Sequence, residues 1–286
     1  MFRPLHALTA LALLAGPLPA CAQQASPDPV AADWHDIPDD EMMVITLTDG
    51  RQIFIRLAKR FAPGHVANIG TLINAHWWDG STIYRVQENW VAQWGDVTEQ
   101  KPLPPEILRR PPAEFEIGSF EAAQRLPVRD AYSTASGVTA DGWPIATDGS
   151  AAWLTHCYGS VGVARDSLPD TGTGAELFTP IGQSARRLDR NYTVVGRVVE
   201  GMEVFSSLPR SAAPMGVYAT AGERTGIASV RLASQFPADE RPHFQYRATD
   251  NPRYAALIDK KMHPDAPMVA TGLEVCDLGP GVRRRP

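Results

Sequence analysis

The side chains best suited to covalent or metal chemistry are scattered along this sequence rather than grouped. His35, His65, His76, His156, His243 and His263 show no ligand spacing such as His-x-x-x-His, which would put two imidazoles on one helix face. Gly-x-Ser-x-Gly, the turn that presents a nucleophilic serine, does not occur. Gly172 and Gly174 make only a Gly-x-Gly fragment, too little to cradle phosphates. A hydrolase or metal enzyme therefore lacks its groups, and no cofactor or metal is expected. Three cysteines are present. Cys21 belongs to an N-terminal leader. Cys157 and Cys276 then read either as a disulfide stapling the C-terminal tail to the main domain, as an oxidising compartment allows, or as two buried thiols that never meet.

The leader implies export. Arg3 gives a weakly positive start, and Leu8–Ala15 is an apolar run far short of the roughly 20 residues that span a membrane. Ala20-Cys21-Ala22 fits a small-x-small cleavage site before Gln23. Leu18-Pro19-Ala20-Cys21 equally resembles a lipobox, in which Cys21 is lipidated and anchors the chain. Pro17 and Pro19 argue against a buried N-terminal helix. The expected location is the periplasm under either processing. A net charge of −5 and the lack of a long basic run exclude a nucleic-acid footprint, and Arg283-Arg284-Arg285 reads as a solvated terminus.

Residues 23–41 are rich in Ala, Pro and Asp and read as a linker. Met43–Thr48 and Gln52–Leu57 are β-prone runs around Asp49-Gly50, a tight-turn dipeptide. Pro63 suits a helix start, and Val66, Ile69, Leu72 and Ile73 follow at helical spacing. Short strands are expected at Thr82–Val86, Trp90–Trp94, Val161–Ala164, Leu177–Ile181, Tyr192–Val199 and Ile227–Leu232, with a helix over Met202–Leu208. Residues 102–152, rich in proline and weak in periodicity, read as a long surface insertion in a domain spanning 42–235. Residues 236–286 form a polar C-terminal extension with one helical patch, Pro252–Met262. Many short strands and few helices point to a mainly β chain closed into an antiparallel barrel.

Two blocks then carry a resemblance. Phe61-Ala62-Pro63, His65-Val66, Asn68, Leu72, Asp79-Gly80-Ser81, Tyr84-Arg85-Val86, Gln93 and Gly95-Asp96 form the first. Gly159–Arg165, Thr173–Phe178, Leu188-Asp189 and Val195–Met202 form the second. In order and spacing they are similar to the active-site blocks of cyclophilins. The resemblance implies a closed eight-stranded antiparallel barrel capped by two helices and cis–trans isomerisation of X-Pro bonds in polypeptide partners, with no cofactor. It implies that Arg85 is the catalytic residue. It places Trp90, Val91, Phe178 and Leu188 in the floor that accepts the proline ring, with Gln93 and the Ala164 backbone orienting the chain and Glu176 and Tyr192 also in the substrate site.

Departures from the pattern matter as much. Tyr84 stands at a usual histidine, Val91 at a pocket methionine, Trp94 at a glycine, Glu176 at a glutamine, Arg187 at an aromatic pocket wall and Tyr192 at a frequent histidine. A carboxylate at Glu176 is expected to pair with Arg85, either weakening its pull on substrate or docking it bidentately. If Glu176 and Trp94 block the groove, the fold survives as a binding module for Pro-containing segments or a protein partner. The implied role is a foldase for exported proteins in a Gram-negative envelope.

Overall fold

The computed structural model describes residues 25–183, 185–269, 272–279 and 281–286. The leader, its cleavage site and Cys21 lie outside the described residues. Trp34–Asp36 is a short strand, β1. β2 (Met42–Leu47) and β3 (Gln52–Leu57) flank Asp49-Gly50, where Gly50 at φ +88° supplies the left-handed turn. α1 (Pro63–Asn74) begins on proline and buries Val66, Ile69, Leu72 and Ile73 against the core, as their spacing requires. β4 (Thr82–Val86) and β5 (Val91–Gly95) follow.

The insertion, weak in periodicity as a sequence, has regular structure of its own. It carries β6 (Gln124–Arg125), β7 (Ala135–Val138), β8 (Pro144–Thr147) and β9 (Ala152–Leu154), which form their own four-stranded antiparallel sheet. Trp143, Ile145 and Leu154 bury themselves against Ala58 and Val194 of the main domain. Arg56 fixes the contact, donating to the Asp141 carboxylate at 3.0 Å and the Asp141 carbonyl at 2.8 Å.

β10 (Ser160–Val163), β11 (Leu177–Pro180), β12 (Val194–Glu200), α2 (Met202–Ser207) and β13 (Thr225–Leu232) complete the domain. In the order β10, β11, β5, β4, β13, β2, β3, β12 the strands close into an eight-stranded antiparallel barrel. Its interior is filled by Met43, Ile45, Ile53, Ile55, Val161 and Leu177, with α1 and α2 adding Ile69 and Phe205. Closure leaves no free sheet edge.

The flanking segments are also built in. β14 (Phe244–Arg247), α3 (Pro252–Met262) and β15 (Val282–Arg284) form the extension. β14 pairs with both β15 and β1, so the stretch read as a linker holds a strand in a three-stranded sheet. Asp33 is buried in a pair with Arg253, whose Nε lies 2.7 Å from Asp33 Oδ2. The arginine run at the C-terminus is not simply solvated: Arg284 lies in β15 and pairs with Glu200 at 2.6 Å. α3 packs Tyr254 and Ile258 against Leu126 and Val138 of the insertion. Cys157 and Cys276 are joined by a disulfide with Cα atoms 5.3 Å apart, tying the extension to the connection that follows β9.

Candidate active site

Strand alternation builds the site. On β5, Ala92 and Trp94 point into the barrel core, whereas Val91 belongs to a separate cluster outside it. β11 alternates in phase: Leu177 lies in the core and Phe178 in the outer cluster. Val91, Phe178 and Leu188 are buried there, with Trp90, Ala164 and Tyr192 packed around them. Six residues spread over a hundred positions thus form one apolar patch, and four of them, Trp90, Val91, Phe178 and Leu188, are those the resemblance assigned to a proline ring. The Tyr192 ring meets Phe178 edge-on at 5.5 Å between centroids. Gly162 lies directly opposite Phe178 on β10. A Cβ at Gly162 would fall 2.4 Å from Phe178 Cζ, so the glycine makes room for the ring.

Arg85 is aimed at this patch by an irregularity. The β4–β5 ladder slips between Ile83 and Arg85, and such a bulge turns two successive side chains to one face. Tyr84 and Arg85 accordingly both reach Gln93, whose backbone is the ladder partner of Arg85 on one side and of Phe178 on the other. Arg85 donates from Nη1 to Gln93 Oε1 at 3.0 Å, from Nη2 to Gln87 Oε1 at 2.6 Å and from Nε to the Met215 carbonyl at 2.7 Å. Met215 adopts φ +61°, an uncommon conformation for a side-chain-bearing residue, as it presents that carbonyl. All three acceptors are neutral. Burial lowers the Arg85 pKa from its ordinary value, with Tyr84 and Tyr192 opposing; an arginine stays protonated through such a change.

The expected pairing of Glu176 with Arg85 is not made. Glu176 instead accepts from the Tyr84 hydroxyl at 2.8 Å and from the Asp96 N–H at 2.6 Å. Tyr84 in turn accepts from Gln93 Nε2 at 2.5 Å. The carboxylate therefore acts on Arg85 at three removes, through Tyr84 and Gln93. Gly95, at φ +148°, is what admits it: a Cβ there would lie 2.1 Å from Glu176 Oε2. Burial lifts the Glu176 carboxyl from its ordinary 4.5 to about 7, against the Tyr84 and Asp96 hydrogen bonds. Burial, then the nearby Glu176, pushes the Tyr84 phenol upward, so it remains a donor. Trp94 does not obstruct the patch either. It is buried in the barrel and stacked on Phe205 at 5.1 Å.

Sequence reasoning missed the supports behind the patch. His156 is fully buried with its ring parallel to Phe178 at 6.2 Å. Its backbone N–H donates to Asp189 at 2.7 Å, and Arg186 Nε reaches the same carboxylate at 2.7 Å. Arg186 also meets Asp130 of the insertion at 2.9 Å and pairs with Glu274 of the extension. The turn that carries Leu188 is thereby tied to both added segments. Only Leu188-Asp189 had a signal in the sequence; the partners arrive from remote positions. Arg187, expected where an aromatic wall often stands, lies exposed at the rim beside Trp90 and Arg165. Among the described residues no group of three or more His, Cys, Asp or Glu side chains is placed to hold a metal.

Comparison with known proteins gives this arrangement its context. A peptidyl-prolyl cis-trans isomerase of Acinetobacter baylyi is 24% identical over 170 residues, 58% of this chain and 71% of that protein. The crystal structure of cyclophilin AquaCyp293 from Hirschia baltica superposes with a TM-score of 0.68 at 23% identity, covering 88% of this chain and 93% of that one. That likeness concerns the fold, and its extent reaches beyond the barrel into the flanking segments. The family model for cyclophilin type peptidyl-prolyl cis-trans isomerases matches residues 42–225, and the chain belongs to that family.

Proposed function

We propose that this protein catalyses X-Pro isomerisation in exported polypeptides, with Arg85 stabilising the twisted amide over the Val91–Phe178–Leu188 patch. Resonance keeps a peptide bond planar behind a barrier of roughly 18–20 kcal/mol. Uncatalysed X-Pro interconversion takes tens to hundreds of seconds, slow enough to limit folding. A catalyst need only bind the twisted amide more tightly than the planar forms. As resonance is lost, electron density localises on the prolyl nitrogen, and a fixed cation beside it lowers the barrier.

The observation that carries this reading is the state of Arg85. Of the five N–H donors of a guanidinium, three are engaged by neutral acceptors, which leaves two for substrate. Neutral partners hold the group in place without cancelling its charge. A carboxylate partner would have done both. The disulfide Cys157–Cys276 supports the exported setting, since such bonds persist in oxidising compartments. The binding-module alternative depended on an obstructed groove, and Trp94 and Glu176 both lie off the apolar patch.

The test is X-Pro peptide isomerisation by parent and Arg85→Ala. Loss of one preorganised donor costs on the order of 10²–10³ in kcat. An Arg85→Ala protein that folds and retains parental turnover overturns the mechanism. A folded parent without turnover overturns the catalytic assignment.

A further inference from the structure

We infer that the depression at the rim of the apolar patch is a carboxylate subsite, so that this isomerase favours prolines flanked by acidic residues. The inference rests on the isomerase reading and names its substrate class. The depression is lined by Trp90, Arg165, Arg187, Leu188, Asn191 and Tyr192. Trp90, Leu188 and Tyr192 also line the proposed proline patch, so a chain whose proline sits on the patch carries its neighbours across this rim.

Two guanidinium groups face that space with no ion-pair partner among the described residues. Arg187 is exposed, and among the described residues no hydrogen bond or ion pair engages it. The contrast with its sequence neighbours is sharp. Arg186 pairs with Asp130, Asp189 and Glu274, and Arg190 pairs with Glu116 and Asp148. Arg165 is held in place by its donation from Nε to the Asn191 carbonyl at 2.9 Å and from Nη1 to the Asp166 carbonyl at 2.7 Å. Its guanidinium lies 4.8 Å from the Tyr192 ring centroid. These contacts orient the group without neutralising it and leave Nη2 unspent. Two like charges around one depression, in a chain of net charge −5, make an electrostatic trap for an anion. A guanidinium pair suits the planar, two-oxygen geometry of a carboxylate. The ligand is the side chain of a Glu or Asp beside the proline.

Matched short peptides with Ala, Glu or Lys on either side of one proline separate the possibilities. Two-dimensional exchange NMR gives isomerisation rates, and chemical-shift titration gives Kd on the same samples. The parent is expected to favour the better-placed Glu peptide over its Ala counterpart by about fivefold in both readouts, as one exposed charge pair gives. The preference should fade by 0.5 M salt, where the Debye length is only about 4 Å. In Arg187→Gln, whose exposed side chain supports no packing, the Glu-to-Ala ratio should fall toward one. Equal Kd values for Glu and Ala peptides with the parent overturn the inference, whatever the turnover. An acidic preference that survives undiminished in both Arg187→Gln and Arg165→Gln overturns the assignment to this rim. Acid-selective binding without turnover supports the subsite and overturns the isomerase reading instead.

Discussion

Replacing Glu176 by glutamine removes a titrating group from behind Arg85 while keeping its shape. In the folded protein the Glu176 carboxyl titrates near pH 7, against an ordinary value of 4.5. An acid whose folded pKa is raised contributes no penalty below the unfolded value, where it is protonated in both states. As pH rises from 4.5 toward 7, the unfolded chain ionises it and the folded chain resists, so folding stability falls. Above 7 both states are ionised and the loss levels off. At about 1.4 kcal/mol per pH decade, the decline is at most about 3 kcal/mol. Glu176→Gln also carries a constant cost, because the amide turns a donor toward Tyr84 and leaves that hydroxyl without its acceptor, roughly 1–3 kcal/mol. The diagnostic quantity is therefore the difference between parent and variant across pH, measured by urea unfolding from pH 4.5 to 8.5. The variant should gain on the parent by up to about 3 kcal/mol as pH rises to 7, then hold a constant offset. Catalysis should move the opposite way. Ionised Glu176 forces Tyr84 to donate to it, which frees the Tyr84 oxygen to accept from Gln93 and turns Gln93 Oε1 toward Arg85. Parental kcat/KM should rise roughly fivefold through pH 7, the equivalent of about one net hydrogen bond, and the variant's should not. A parent-minus-variant stability difference that is flat with pH refutes the buried-carboxyl reasoning. A pH-activity rise that persists in Glu176→Gln refutes the relay.

Two further perturbations probe the architecture around the patch. Gly162→Val places atoms where the Phe178 ring lies, 2.4 Å from the position of its Cβ. It should destabilise by about 1–3 kcal/mol, as overpacking does, and raise KM for X-Pro peptides; unchanged KM in the folded variant would show that Phe178 does not shape the site. Cys276→Ala opens a loop of 119 residues between the bonded cysteines. It should lower unfolding free energy by about 2–5 kcal/mol, matching reduced parent in urea titrations, and overlapping curves for oxidised parent and variant would deny the disulfide any stabilising role.

Much of the barrel is written locally. Asp49-Gly50 announces its hairpin because only residues at ease with positive φ make so tight a turn. Pro63 and the spacing Val66, Ile69, Leu72, Ile73 announce α1 because a helix has one face to bury. Strands such as Thr82–Val86 show in composition, and the ordered motif blocks pick out the apolar patch although its members are far apart. Where elements are too short to show a period, the sequence is silent. β6 and β9 have two and three residues, and β1 is a strand only because β14, some two hundred positions away, pairs with it. The insertion and extension gain order from contacts with the barrel and each other, which no local window contains.

The chemistry divides along the same line. Residue identity alone fixes that Arg85 carries a permanent charge, that Gly95 and Gly162 lack a Cβ, and that Glu176 is an acid. Their consequences depend on partners brought by topology. Met215 reaches Arg85 across 130 positions. Glu176 turns to Tyr84 because Gly95 leaves space there and the β4 bulge swings Tyr84 outward. A sequence lists donors, acceptors and volumes, but burial and pairing are properties of the closed barrel, and these decide which carboxylate titrates near neutrality and which arginines have no carboxylate partner.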